Sequence, residues 1–254
     1  MSAGELSAGV LAGRIALVTG ASRGIGAATA LALARAGAHV VAVARTVGGL
    51  EELDDAIRTA GTGGSATLVP LDLTDFTGLG RLAGALKERY QHLDILIGNA
   101  AIVGPSSPLD HTTLPDWDAV MKLNVTANWQ LICAMDALLR RSDAGRAVFV
   151  TSGAAHHMRP YRGLYSTSKA ALEAVVRTYA AETERTAVRV NLFNPGPTRT
   201  RMRAQVMPGE DPMTLPPPDE VAEKIVELCM PGFSETGRFY DFRGRKLMSF
   251  RGPE

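Results

Sequence analysis

Cysteine is nearly absent: Cys133 and Cys229 are the only two among 254 residues. Two thiols cannot build a disulfide framework, and neither has neighbours at metal-ligand spacing. Both are therefore expected to be buried and reduced, and no metal site is expected. An excess of charge of one sign is missing as well. Lys and Arg number 27 against 26 Asp and Glu, a formal net charge of +1, which offers no footprint for a nucleic-acid partner and no acidic tail. Long apolar runs are also lacking. The most apolar stretch, Ala27 to Ala44, is interrupted by Arg35, Gly37 and His39, and it divides into a helix and a strand rather than a membrane span. Met1 to Gly13 shows no basic segment leading into an apolar core, so a cytoplasmic protein with a flexible segment at residues 1–12 is expected. Without a leader, the acceptor-like Asn124-Val125-Thr126 carries no expectation of glycosylation. No repeat, low-complexity tract or linker divides the chain, and a single domain over residues 1–254 is expected.

What is present is alternation. Apolar runs at Arg14–Thr19, His39–Ala44, Ala66–Leu71, Asp94–Gly98, Ala147–Thr151 and Val188–Phe193 read as buried strands, with helical patterns in the intervals. That order predicts an α/β fold with a doubly wound parallel sheet. Met207 to Pro218 is rich in proline and precedes a helix around Asp219–Cys229. It is read as part of a loop over the site, residues 201–218.

The first strand runs straight into Gly20-Ala21-Ser22-Arg23-Gly24-Ile25-Gly26 and then a helix. Glycines let the backbone turn tightly against a pyrophosphate, and the helix start favours the anion, so a dinucleotide site is expected here. Ligands of an open α/β sheet lie beyond the carboxyl ends of the strands. The residues there are Arg45, Asp72-Leu73, Asn99, Ser152 and Asn194-Pro195-Gly196. Arg45 stands where an acidic residue would hold a free ribose 2′-hydroxyl; a guanidinium suits a 2′-phosphate, with Arg23 as a second cation, so NADP is preferred over NAD. Asp72 is placed to bind the adenine amino group, or to cap a helix. Tyr165 and Lys169 are four apart and share a helix face, so the ammonium can act on the phenol. A free phenol has a pKa of ~10, and each unit of depression by a cation is ~1.4 kcal/mol in favour of phenolate.

These residues resemble the short-chain dehydrogenase/reductase family, from about Gly13 to Cys229. Thr19 to Gly26 is similar to its TGxxxGxG turn, Asp72 to its adenine contact, and Asn124 to its helix asparagine. Ser152, Tyr165 and Lys169 resemble its catalytic serine and YxxxK motif. Pro195-Gly196 with Thr198 and Thr200 looks like the segment that meets the nicotinamide carboxamide and the phosphates. The family's NNAG after the fourth strand appears here as Gly98-Asn99-Ala100-Ala101, so Ala101 adds a methyl where backbone passes close to the cofactor.

The resemblance implies a Rossmann fold and an NADPH-dependent carbonyl reductase or alcohol dehydrogenase, with a 3-oxoacyl thioester reductase as a sub-case. In that scheme Tyr165 is the acid or base and also a cofactor contact, Ser152 bonds the substrate oxygen, and Lys169 lowers the phenol's pKa and bonds the nicotinamide ribose. Asn124 would hold a water that passes protons to Lys169. A homotetramer or homodimer through the helices of Asn124 and Tyr165 is implied too. The alternative is a non-catalytic NADP sensor on the same fold, which would not need an acid.

Other residues are weighed against plainer roles. His156 and His157 are read as pocket-lining or solvated, without metal spacing. Ser152 lacks the Gly-x-Ser-x-Gly context of a hydrolase. Arg199, Arg201 and Arg203 form a basic run at the expected site mouth, suiting an anionic substrate or a solvated face. Trp117, Trp129 and Met158 read as packing residues.

Overall fold

The computed structural model describes residues 9–250. Eight strands form one sheet: β1 Ile15–Thr19, β2 His39–Ala44, β3 Ser65–Pro70, β4 Ile95–Gly98, β5 Arg146–Val150, β6 Arg189–Asn194, β7 Arg238–Asp241 and β8 Lys246–Ser249. Their spatial order is β3-β2-β1-β4-β5-β6-β7-β8. β1 pairs in parallel with both β2 and β4, so the strand order reverses direction there and opens a crevice at their carboxyl ends. The six expected strands are present within a residue of their predicted bounds. β7 and β8 were not foreseen, and β8 departs from the parallel rule by pairing antiparallel with β7. Their sequences are short and rich in polar residues, and β8 is exposed along its whole length, so neither has the continuous apolar run that marks a buried parallel strand.

Eight helices connect the strands: α1 Gly24–Arg35, α2 Val47–Ala60, α3 Phe76–Tyr90, α4 Leu114–Met121, α5 Ala127–Leu139, α6 Gly163–Glu182, α7 Arg201–Val206 and α8 Pro218–Leu228. Strand side chains alternate between two cores. Ile15 and Leu17 of β1 and Phe149 of β5 face Leu131, Met135, Leu172 and Val176 of α5 and α6. Val18, Ile95, Ile97 and Val148 face Leu33, Leu50, Val221 and Ile225 of α1, α2 and α8. Burying each such side chain contributes about 1.5–3 kcal/mol, which holds the strand ends rigidly under the crevice. Among the described residues, no helix is long and apolar enough to cross a membrane.

Three expectations need correction. Residues 1–8 of the segment expected to be flexible lie outside the described residues; within 9–12, Leu11 is fully buried and its N–H donates to the Ala36 carbonyl, while Gly9, Val10 and Ala12 are exposed. Cys229 is buried as expected, whereas Cys133 is exposed. Trp129 and Met158, read as packing residues, are 48% and 66% exposed. Trp129 and Cys133 sit one turn apart on α5, on the side away from the sheet, while Leu131 and Met135 fill the inward side.

Candidate active site

The crevice is a cleft of about 1440 Å³ running from the β1–α1 turn past β5 to α7. Every expected catalytic and cofactor residue lines it except Gly26 and Asn124, which act from behind. At one end the glycine turn is drawn tight. Gly20 has φ +66° and Gly24 φ +57°, a region that favours glycine. A Cβ on Gly26 would run into the Gly20 carbonyl and Asn99 Nδ2. Arg23 caps α1 without a side-chain acceptor, so the first-turn N–H groups are left for an anion. The cradle therefore fits a dinucleotide pyrophosphate: bare backbone lines it, and side chains would fill it. Gly26→Ala tests that fit. Alanine in a helix normally gains about 1 kcal/mol over glycine, yet here overpacking should cost about 1–3 kcal/mol. A lower melting temperature together with weaker NADPH binding is the expected result; a more stable variant with unchanged binding would refute the close approach.

The turn is braced from β4. The Thr19 hydroxyl donates to the Ile97 carbonyl at 3.0 Å and accepts from the N–H groups of Asn99 and Ala100 at 2.9 and 3.2 Å. Asn99 Nδ2 donates to the Thr19 carbonyl at 2.9 Å. Asn99 thus serves the turn's shape while lining the cleft. Ala101 is not among the non-glycine residues with positive φ, so its methyl requires no strained backbone. Arg45 is 67% exposed and its Nη1 lies 3.6 Å from Asp72 Oδ2. Asp72 Oδ1 accepts from the N–H and hydroxyl of Thr74, both at 2.8 Å. Those bonds, with Arg45 beside them, hold the carboxyl below its usual range, while burial opposes them. At the sixth strand, Asn194 Oδ1 accepts from the N–H groups of Gly153 and Gly196 at 3.0 and 3.2 Å, tying the two strand-end loops together.

At the centre, Ser152 follows β5 and begins a short helical turn, its hydroxyl accepting from the Ala154 N–H at 3.2 Å. Tyr165 and Lys169 lie on α6. Lys169 is 2% exposed, and its Nζ donates to the Val150 carbonyl at 2.8 Å and stands 5.8 Å from the Tyr165 ring centroid. Burial pushes the phenol up to about 12, with the Ser152 hydroxyl pulling it partly back. Burial also lowers the Lys169 amine to about 8, against the opposing charge of Glu173. The expected depression of the phenol by Lys169 is therefore overridden: desolvation outweighs a cation that is turned toward a backbone carbonyl. The phenol rests protonated.

Asn124 acts on the same helix from the other side of the cleft wall. α4 passes into α5 through a π-helical turn at Lys122–Thr126, an irregularity that often marks a functional site. From it, Asn124 Oδ1 accepts from the Ile102 N–H at 2.9 Å, and Nδ2 donates to the Ile102 carbonyl at 2.8 Å and to Ser168 Oγ at 3.0 Å. Both amide protons are committed to protein, so the side chain pins the strand-end loop to α6. Sequence reasoning also missed Thr151 and Glu173, which lie buried behind Ser152 and Lys169. Of the two histidines, His156 pairs with Glu173 and His157 lies over Gly153 and lines the cleft.

The segment at 201–218 borders the same cleft through α7, Met207, Glu210 and Pro218. Arg203 is paired with Glu210 at 2.5 and 2.6 Å. Arg162, three residues before Tyr165, donates to the Val206 carbonyl at 2.8 Å and ties α6 to α7.

A doubly wound sheet carrying a glycine cradle and a serine, tyrosine and lysine at its carboxyl edge defines a nucleotide-dependent oxidoreductase class. The model of the short chain dehydrogenase family matches residues 14–211, and the chain belongs to that family. It is 38% identical over 210 residues to the uncharacterized oxidoreductase YciK of Escherichia coli K12, covering 82% of each protein. A short chain dehydrogenase from Shigella flexneri 2a strain 301, complexed with NADP, superposes with TM-score 0.88 at 35% identity, over 92% of this chain and 99% of that one. Another from Escherichia coli CFT073, complexed with NADPH, gives 0.86 at 34% identity over 92% and 98%.

Proposed function

We propose that the protein reduces a carbonyl compound with NADPH, and that its substrate carries an anionic group. The observation that supports this best is a protonated phenol, Tyr165, beside Ser152 and a buried Lys169 in the cleft that the glycine turn also lines. The related structures complexed with NADP and NADPH agree with it. The glycine turn and α1 would take the pyrophosphate, Arg45 and Arg23 the 2′-phosphate, and Thr198 and Thr200 line the cleft farther on. When bound, NADPH supplies the hydride that the carbonyl carbon accepts. Ser152 donates a hydrogen bond to the carbonyl oxygen as negative charge grows there, and Tyr165 gives that oxygen its proton. Lys169, cationic at neutral pH, stabilises the phenolate left behind. A phenol that rests protonated is the form that acts as the acid in this step.

The anionic group follows from the substrate end of the cleft, where Arg159, Arg162, Arg201 and Arg203 gather. Glu210 neutralises Arg203, and Arg162 meets a backbone carbonyl. That leaves guanidinium donors for a carboxylate or phosphate. The test follows loss of NADPH absorbance with carbonyl compounds in matched pairs, one with a free carboxylate and one as its amide. We expect turnover, with kcat/KM about tenfold higher for the acids, as one exposed charge-assisted bond allows, and Arg159→Ala should shrink that margin. Equal rates within pairs would remove the anionic group and leave the reductase. NADPH binding without turnover of any compound would favour a sensor.

A further inference from the structure

Tyr165, Lys169 and Glu173 stand at four-residue intervals on α6 and share one face of it. The Glu173 side chain is only 6% exposed, and a carboxylate so deep requires partners. It has them on both sides. Oε1 accepts from the Thr151 hydroxyl at 2.6 Å, and Oε2 lies 3.1 Å from His156 Nε2. Thr151 sits between Val150, whose carbonyl holds Lys169, and Ser152. His156 closes the short helical turn that Ser152 begins. One carboxylate therefore grips both ends of the segment that carries Ser152, from the helix that carries Tyr165 and Lys169.

The charged groups around it are few. Its own helix supplies Lys169 one turn before and Arg177 one turn after, and the β5–α6 connection supplies His156. β7 and the residue after β8 contribute the rings of Phe239 and Phe250, against which His156 packs at 5.3 and 6.5 Å between centroids. Arg177 lies over the Phe250 ring at 4.1 Å. Burial raises the Glu173 carboxyl, and the bonds from Thr151 and His156 pull it back toward the ionised form. If packing were all that was needed, an apolar side chain would fill this space at lower cost.

We propose that Glu173 is a positioning residue for the reacting group: through Thr151 and His156 it fixes the Ser152 turn, and its charge keeps the Lys169 amine protonated. The kinetic part of this rests on the reductase reading, and the spectroscopic part does not. The protein has five lysines, Lys87, Lys122, Lys169, Lys224 and Lys246, so protein labelled with carbon-13 at lysine Cε can be titrated by NMR, with Lys169→Arg assigning its signal. In the wild type the Lys169 amine should titrate near 8. In Glu173→Gln it should titrate about one unit lower, a tenfold change in acidity. The alkaline limb of kcat/KM should move down with it.

Glu173→Asp keeps the charge but withdraws it by one methylene, and should fall between the two. It carries the test should the Gln variant not fold. Thr151→Val removes the brace and one of the bonds that favour the carboxylate, so it should reduce kcat while moving the lysine titration less than Glu173→Gln does. A Lys169 signal that titrates alike in the wild type and in the Gln and Asp variants would overturn the proposal. If no carbonyl compound is turned over, the reductase reading falls, while the NMR titration still decides the role of Glu173.

Discussion

Tyr165→Phe should lower kcat by about a thousandfold, the middle of the 10²–10⁴ range for a positioned general acid, equivalent to roughly 4 kcal/mol of barrier. The substitution removes one oxygen and little else. Burial disfavours ionisation of this phenol, and the Ser152 hydroxyl is the one neighbour that eases it, so the fold gives up no strong interaction with the oxygen. The ring stays in the wall of the cleft, and the cradle at Gly20 to Gly26 is built by other elements, the end of β1 and the start of α1. NADPH affinity, measured by fluorescence titration, should therefore stay within a few-fold of wild type, and the melting temperature within a few degrees. A variant that keeps a tenth of its activity would remove Tyr165 as the proton donor. One that loses NADPH binding along with turnover would show that the hydroxyl acts chiefly by holding the nucleotide.

How much of this could be read from sequence depends on how far each feature is from its cause. The strands β1 to β6 were legible because a strand buried on both faces must be apolar throughout, and Arg45, Asp72, Asn99, Ser152 and Asn194 could be placed because each lies at or just beyond the end of such a strand. β7 and β8 were not legible, since a short, partly buried strand and the exposed edge strand beyond it carry no such run. The i, i+4 spacing exposed the pairing of Tyr165 with Lys169, and one more interval would have reached Glu173. Its partners Thr151 and His156 meet it only after β5 and α6 have packed, so nothing local announces it. The direction of the Tyr165 shift was misread for a related reason. Spacing shows that a cation is near, but desolvation depends on what surrounds the pair, and Lys169 donates a hydrogen bond to the Val150 carbonyl. Cys133 and Trp129 show the same limit: apolar character does not say which side of α5 meets the sheet.

Arg45→Glu should reverse the nucleotide preference, changing the ratio of kcat/KM for NADPH over NADH by about 10²–10³. The argument starts from exposure. At 67% exposed and 3.6 Å from Asp72, the guanidinium contributes little to the fold, since such surface pairs are worth about 0–1 kcal/mol. Against a 2′-phosphate the same group makes charge-assisted hydrogen bonds, each worth about 1.5–3 kcal/mol, or roughly ten- to a hundredfold in affinity. Glutamate forfeits that contribution and adds repulsion toward the phosphate, while offering the acceptor that a free 2′-hydroxyl needs. It would also face the Asp72 carboxylate, which its Thr74 bonds hold in the ionised form. Arg45→Gln separates the two effects: it loses the attraction without the repulsion, and its ratio should lie between wild type and the glutamate variant. Initial rates with each nucleotide at a fixed carbonyl substrate supply all three ratios. An unchanged ratio in both variants would move the 2′-phosphate away from the end of β2 and leave Arg23 as its only nearby cation in the glycine turn.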